Sequence, residues 1–127
     1  MAIMEGISPL NFMMDNTREL ARKKWSGRVV KHRLELIESL LLMNKPDLNV
    51  VASGLAWSST RFSDKTGFDD SGRTREQIEF SNRFILHFTK AERRKVEAMA
   101  HALNKPELNE KMLRHFKERK AEIEQYM

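Results

Sequence analysis

Apolar residues recur along this chain at spacings of three and four, and the runs that keep this rhythm mark its helices. After Ser8-Pro9 the pattern takes in Leu10, Met13, Met14, Thr17, Leu20 and Ala21. It predicts a first helix with Ser8 as cap and Pro9 in the first turn. Asp15, Arg18, Arg22 and Lys23 fall on the opposite, polar face. Ser26-Gly27 interrupts the rhythm. Val30, Leu34, Ile37 and Leu41, flanked by Val29, Leu36, Leu40 and Met43, then predict a helix over 28–43. It is the most apolar segment, so it is expected at the middle of the fold. Asn44-Lys45-Pro46 stops it, because proline disfavours helix in the residue before it. A short third helix is expected over 47–57.

The stretch from Arg83 to Phe116 carries the strongest local signals. Thr89 and Glu92 have capping-box spacing, which starts a helix at Lys90. Val96, Met99, Ala100 and Leu103 make its apolar face, and Asn104-Lys105-Pro106 ends it. A last helix follows with Leu108, Met112, Leu113, Phe116 and Ile123. The hexapeptides at 44–49 and 104–109 are nearly identical. They read as two uses of one stop-and-restart signal, with duplication of a helix–turn–helix unit as the alternative.

Residues 83–88 admit two readings. In a strand, Phe84, Leu86 and Phe88 share one face and Arg83, Ile85 and His87 the other. In a helix, Thr74 and Gln77 form a second capping box, and Ile78, Ser81, Ile85 and Phe88 share a face. Helix is slightly favoured. Residues 1–7 read as a loose arm and 58–74 as a mobile loop rich in Ser, Thr, Asp and Gly. The whole, residues 1–127, is expected to be one mainly α domain. It is a compact bundle of about five helices, with a single strand at 83–88 as the alternative.

In the strand reading, the order of alternating strand, Thr89, Glu92, Val96, Met99-Ala100, Leu103 and the turn at Asn104 resembles the ribbon-helix-helix family of DNA-binding proteins. The resemblance implies that two chains pair their strands into a ribbon that enters the major groove. It makes Arg83, Ile85 and His87 the base readers, and puts a phosphate at the N-terminus of the second helix.

Charge sharpens this picture. The chain of 127 residues carries +5, but unevenly. Residues 18–33 hold seven basic and one acidic side chain, and residues 83–120 hold eleven and five. If folding brings both segments to one side, the surface favours phosphate backbones through counterion release. The expected contacts are Arg22, Lys23, Lys24 and Arg28 from the first segment. From the second they are Arg83, His87, Arg93, Arg94, Lys95, Lys105, Lys111, Arg114 and Lys117. Trp25, beside Arg22-Lys23-Lys24, is expected to pack under cationic side chains rather than stack on a base.

Other chemistry is not expected. The chain has no glycine-rich phosphate loop, nucleophile elbow or zinc-protease pattern. Glu97 and His101, one turn apart, read as a surface pair. No enzymatic role, cofactor or metal is therefore expected. Cysteine is absent, there is no long apolar run, and the first residues lack a basic start and apolar core. A cytoplasmic or other reducing intracellular location is expected, away from membranes. The reading is a small nucleic-acid-binding protein, with DNA slightly preferred over RNA, acting as an oligomer or as a subunit of a complex. The alternative is a helical assembly module with no nucleic-acid role.

Overall fold

The computed structural model describes residues 7–56, 74–103 and 105–127, without the side chains of Ser53, Gly54 and Ala56. Those residues form six helices: α1 (Ile7–Arg22), α2 (Gly27–Leu42), α3 (Lys45–Ala56), α4 (Arg75–His87), α5 (Lys90–Leu103) and α6 (Pro106–Glu124). The arm expected over 1–7, apart from Ile7, and the loop expected over 58–74, apart from Thr74, lie outside the described residues. So does Asn104.

The mainly α architecture agrees with the sequence pattern. Residues 83–87 are helical, so the strand alternative, and with it a ribbon at 83–88, is not the conformation seen. The reason is packing along a helical stripe. Phe80, Phe84 and Phe88 recur every fourth residue, and all three are buried. The rings of Phe84 and Phe88 stack with centroids 4.1 Å apart. A strand would send Leu86 to the same face as Phe84 and Phe88, whereas here it is exposed. At the other end, Ser8 and Pro9 sit inside α1 rather than capping it.

Both capping boxes form. The Thr74 N–H donates to Gln77 Oε1 at 2.8 Å, and the Gln77 N–H donates to Thr74 Oγ1 at 3.2 Å. Gln77 Nε2 also donates to Asp47 Oδ1 at 2.9 Å, tying α4 to α3. Thr74→Ala removes one of these bonds, and unfolding in urea should show a loss of about 1 kcal/mol. A loss near zero would mean that water replaces the cap.

α1 lies parallel to α6, since Asn11 meets His115 and Arg18 meets Glu122. It lies antiparallel to α5, since Asn16 meets Glu92 while Phe12 meets Lys95. The packing follows an exchange rule. α1 rests on α2, α5 and α6; α4 rests on α5, α2 and α3; and α2 meets α6 as α3 meets α5. Exchanging α1 with α4, α2 with α5 and α3 with α6 preserves these pairings, but α5 also rests on α6 where α2 and α3 make no comparable contact. The two Lys-Pro turns, at Lys45-Pro46 and Lys105-Pro106, occupy equivalent places in the two halves.

At the junction of α1, α2, α4 and α5 lies a buried polar network. Arg33 is 4% exposed and Glu92 1%. Arg33 Nη2 donates to Glu92 Oε2 at 2.5 Å, Nη1 to the His87 carbonyl and to Glu92 Oε1, and Nε to Thr17 Oγ1 at 3.1 Å. The guanidinium lies 4.3 Å from the Phe88 ring centroid. Glu92 also accepts from Asn16 Nδ2 at 3.2 Å and from the Thr89 N–H at 2.9 Å. Both ions are thus saturated with partners, the condition under which a buried pair is tolerated.

Candidate nucleic-acid interface

α1 ends at a turn whose backbone is set by hydrogen bonds from the Lys24 N–H to the Ala21 carbonyl and from the Trp25 N–H to the Leu20 carbonyl. This pattern puts Lys24 in the left-handed region, with φ of 61°. A lysine there costs about 1 kcal/mol relative to glycine, because its Cβ crowds the following carbonyl. The turn throws Trp25 outward. It is 58% exposed, where the sequence pointed to packing under its neighbours.

The corner between α1 and α2 is cationic and open. Lys23, Lys24, Arg28 and Lys31 are exposed, and no ion pair engages them among the described residues. No carboxylate occurs between residues 20 and 34. Arg22, also exposed, is held by Glu19 at 2.7 Å. α2 has no acidic residue in its first turn, so the positive end of its dipole faces the same corner. The end of the chain closes the other side. Lys24 Nζ donates to the Tyr126 carbonyl at 3.5 Å, and Trp25, Tyr126 and Met127 line a shallow cleft of about 170 Å³ over Ala21 and Val30.

The start of α6 lies far from this corner. Lys105 stands at the start of α6, and Tyr126 just past its end. At 1.5 Å per residue the two are about 30 Å apart. Arg94, Lys111, Arg114 and Lys117 are exposed on outward faces of α5 and α6. Lys95 Nζ stands 5.2 Å from the Phe12 ring centroid, turned toward α1. Arg93 is partly buried, with Nε and Nη1 lacking hydrogen-bond partners. Three further cations of the two segments are spent inside the molecule. Arg33 is held by Glu92, Arg18 by Glu122 at 3.3 Å, and Arg119 by Asp15. These three cations are therefore withdrawn from any positive face. Helices packed around a shared core turn their polar faces in different directions.

Arg83 and His87 lie elsewhere again, in a cleft of about 170 Å³ between α2 and the antiparallel α4. The His87 ring meets His32 edge to face, with centroids 5.3 Å apart. Burial first, then the charges of His32 and Arg33, hold the His87 imidazole below the ordinary histidine range. Arg28 falls one helical turn before His32 on the same stripe of α2. His32 was missed by the sequence reading. Its signal was its spacing of four from Arg28, but its partner is 55 residues away. No group of three or more His, Asp or Glu suited to a metal ion occurs among the described residues. Nor is any helix there long and apolar enough to cross a membrane.

Compared with protein-family models, with curated proteins and with solved structures, the chain matches none.

Proposed function

We propose that this is a nucleic-acid-binding protein that works through the α1–α2 corner. Lys23, Lys24, Arg28 and Lys31 contact phosphates, and Trp25 stacks on a base. The observation that carries this reading is an exposed tryptophan inside a run of unpaired cations with no carboxylate between residues 20 and 34. Trp25 forms an exposed apolar patch with Tyr126 and Met127, and such a patch rimmed by charge marks an interaction site. A base has a flat face to offer, and its phosphates match the surrounding charge. Stacking requires an accessible base, so single strands and strand ends are preferred over intact duplex. The dispersed cations of α5 and α6 add long-range attraction without forming a track.

Titration of a labelled single-stranded oligonucleotide tests this. Trp25→Ala should weaken binding about 5–150-fold, the equivalent of one lost base stack. Equal affinity for Trp25→Ala and the unmodified protein overturns the stacking role. Loss of all binding at low salt in the unmodified protein overturns the function.

A second reading, assembly of copies or attachment to another protein, has one specific observation behind it. Leu42 is 65% exposed beside a groove of about 310 Å³ formed by Leu41, Met43, Leu48, Leu103 and Leu113. A solution mass that doubles, and reverts with Leu42→Ser, favours this reading.

A further inference from the structure

We propose that the cleft between α2 and α4 binds a phosphate group that still carries a P–OH, with Arg83, His32 and His87 donating to its ionised oxygens and Glu35 accepting from the hydroxyl. The group is inorganic phosphate or the monoester end of a larger ligand. This goes beyond the corner described above, and uses neither Trp25 nor the lysines there.

The donors come from two helices and converge on one small space. Arg83 is exposed, with no ion pair among the described residues, so its fork is available for a bidentate contact. The His32 and His87 rings, 5.3 Å apart and nearly perpendicular, present nitrogens from different directions. Ser39 adds a hydroxyl on the same stripe of α2. The floor is apolar. Leu36 and Phe80 are both buried, so charges above them act beside a low-dielectric wall and interact more strongly than in open water. At about 170 Å³ the space suits a single oxyanion rather than a nucleoside.

Burial, then the charges of His32 and Arg33, disfavour the charged form of His87. An anion between the two imidazoles offsets that effect. The neighbouring charges are few. α2 contributes Arg28, His32, Arg33 and Glu35, and α4 contributes Arg83 and, one turn before it, Glu79, which is paired with Arg75 at 3.8 Å. Glu92 of α5 is already held by Arg33, and Asp47 of α3 meets α4 at its far end, on Gln77.

Glu35 decides which anion is accepted. An ionised carboxylate at the rim repels an oxyanion with no proton to give, such as sulfate. It accepts a hydrogen bond from phosphate, which keeps a P–OH across the neutral range, and from a monoester near its second pKa of about 6. Acidification charges the His87 imidazole, which burial and the neighbouring charges otherwise keep neutral, and a charged donor favours the complex. Affinity therefore rises as pH falls.

The test is an NMR titration of the histidine side chains with inorganic phosphate and with sulfate, at about pH 6 and about pH 7.5. The expected result is saturable movement of His32 and His87 with phosphate, while His101 and His115 stay still. Phosphate binding should be at least about tenfold tighter at the lower pH, and sulfate at least about tenfold weaker than phosphate. Glu35→Gln should admit sulfate as well as phosphate, and Arg83→Gln should lose both. Glu35 and Arg83 are exposed, and the same spectra report whether the variants remain folded. A 5′-phosphorylated oligonucleotide compared with its 5′-hydroxyl counterpart separates the two sources of the group. A response to the former alone assigns a strand end, and a response to inorganic phosphate alone assigns the free ion. No movement of His32 and His87 at either pH with inorganic phosphate or with the 5′-phosphorylated oligonucleotide overturns the proposal, as does sulfate binding the unmodified protein as tightly as phosphate.

Discussion

Glu92→Ala is expected to destabilise the protein by about 3–5 kcal/mol, with a fall in Tm of about 10–20 °C. The substitution leaves the Arg33 guanidinium buried without its counter-ion. It also strips the Thr89 N–H and the Asn16 amide of their acceptor. Thr89→Ala, which removes only the other half of the capping box, should cost about 1 kcal/mol. The difference between the two isolates the buried charge from the cap. Arg33→Met combined with Glu92→Leu should be less destabilised than Glu92→Ala alone, because neither charge is then left in the core. Thermal and urea unfolding of the set decide the matter. A loss under about 1 kcal/mol for Glu92→Ala would mean that water reaches Arg33 and that the network does not hold the four helices together.

Replacing Lys23, Lys24, Arg28 and Lys31 together by glutamine is expected to lower affinity for single-stranded nucleic acid by about 10²–10³-fold at about 0.1 M salt. The slope of log affinity against log salt should fall by about 3, since each phosphate contact on a single strand contributes about 0.7. Replacing Lys111, Arg114 and Lys117 on α6 is the matched control, and should change affinity about tenfold or less. All seven side chains are exposed, so both variants should keep the unmodified protein's stability. Equal losses from the two sets would show that charge acts diffusely, with no role particular to the corner. A retained salt slope in the first set would show that the corner touches no phosphate.

How much of this was readable beforehand differs by interaction range. The capping boxes at Thr74-Gln77 and Thr89-Glu92 join residues three apart, so the chain displays them directly. Arg33 left a partial signal. It falls in line with Val30, Ile37 and Leu40 on the apolar stripe of α2, and a cation there needs a buried partner. That the partner is Glu92, 59 residues on, has no local trace. The same holds for His32 and His87. Trp25 was misplaced for a backbone reason. Lysine is a rare occupant of the left-handed turn position, so nothing at Lys24 announced a turn that lifts the following side chain into solvent. The helix over 75–87 was open between two periodicities until packing chose the one that buries Phe80, Phe84 and Phe88 together.

The mainly helical class, the two capping-box helix starts and the run without carboxylates at 20–34 were written in the order of residues alone, because each depends on neighbours within a turn or two. Which cations meet solvent and which meet carboxylates was settled only by folding. The faces of six helices are assigned by what each can bury against the others, and that choice turned Arg18, Arg33 and Arg119 toward acids while leaving Lys23, Lys24, Arg28 and Lys31 in water.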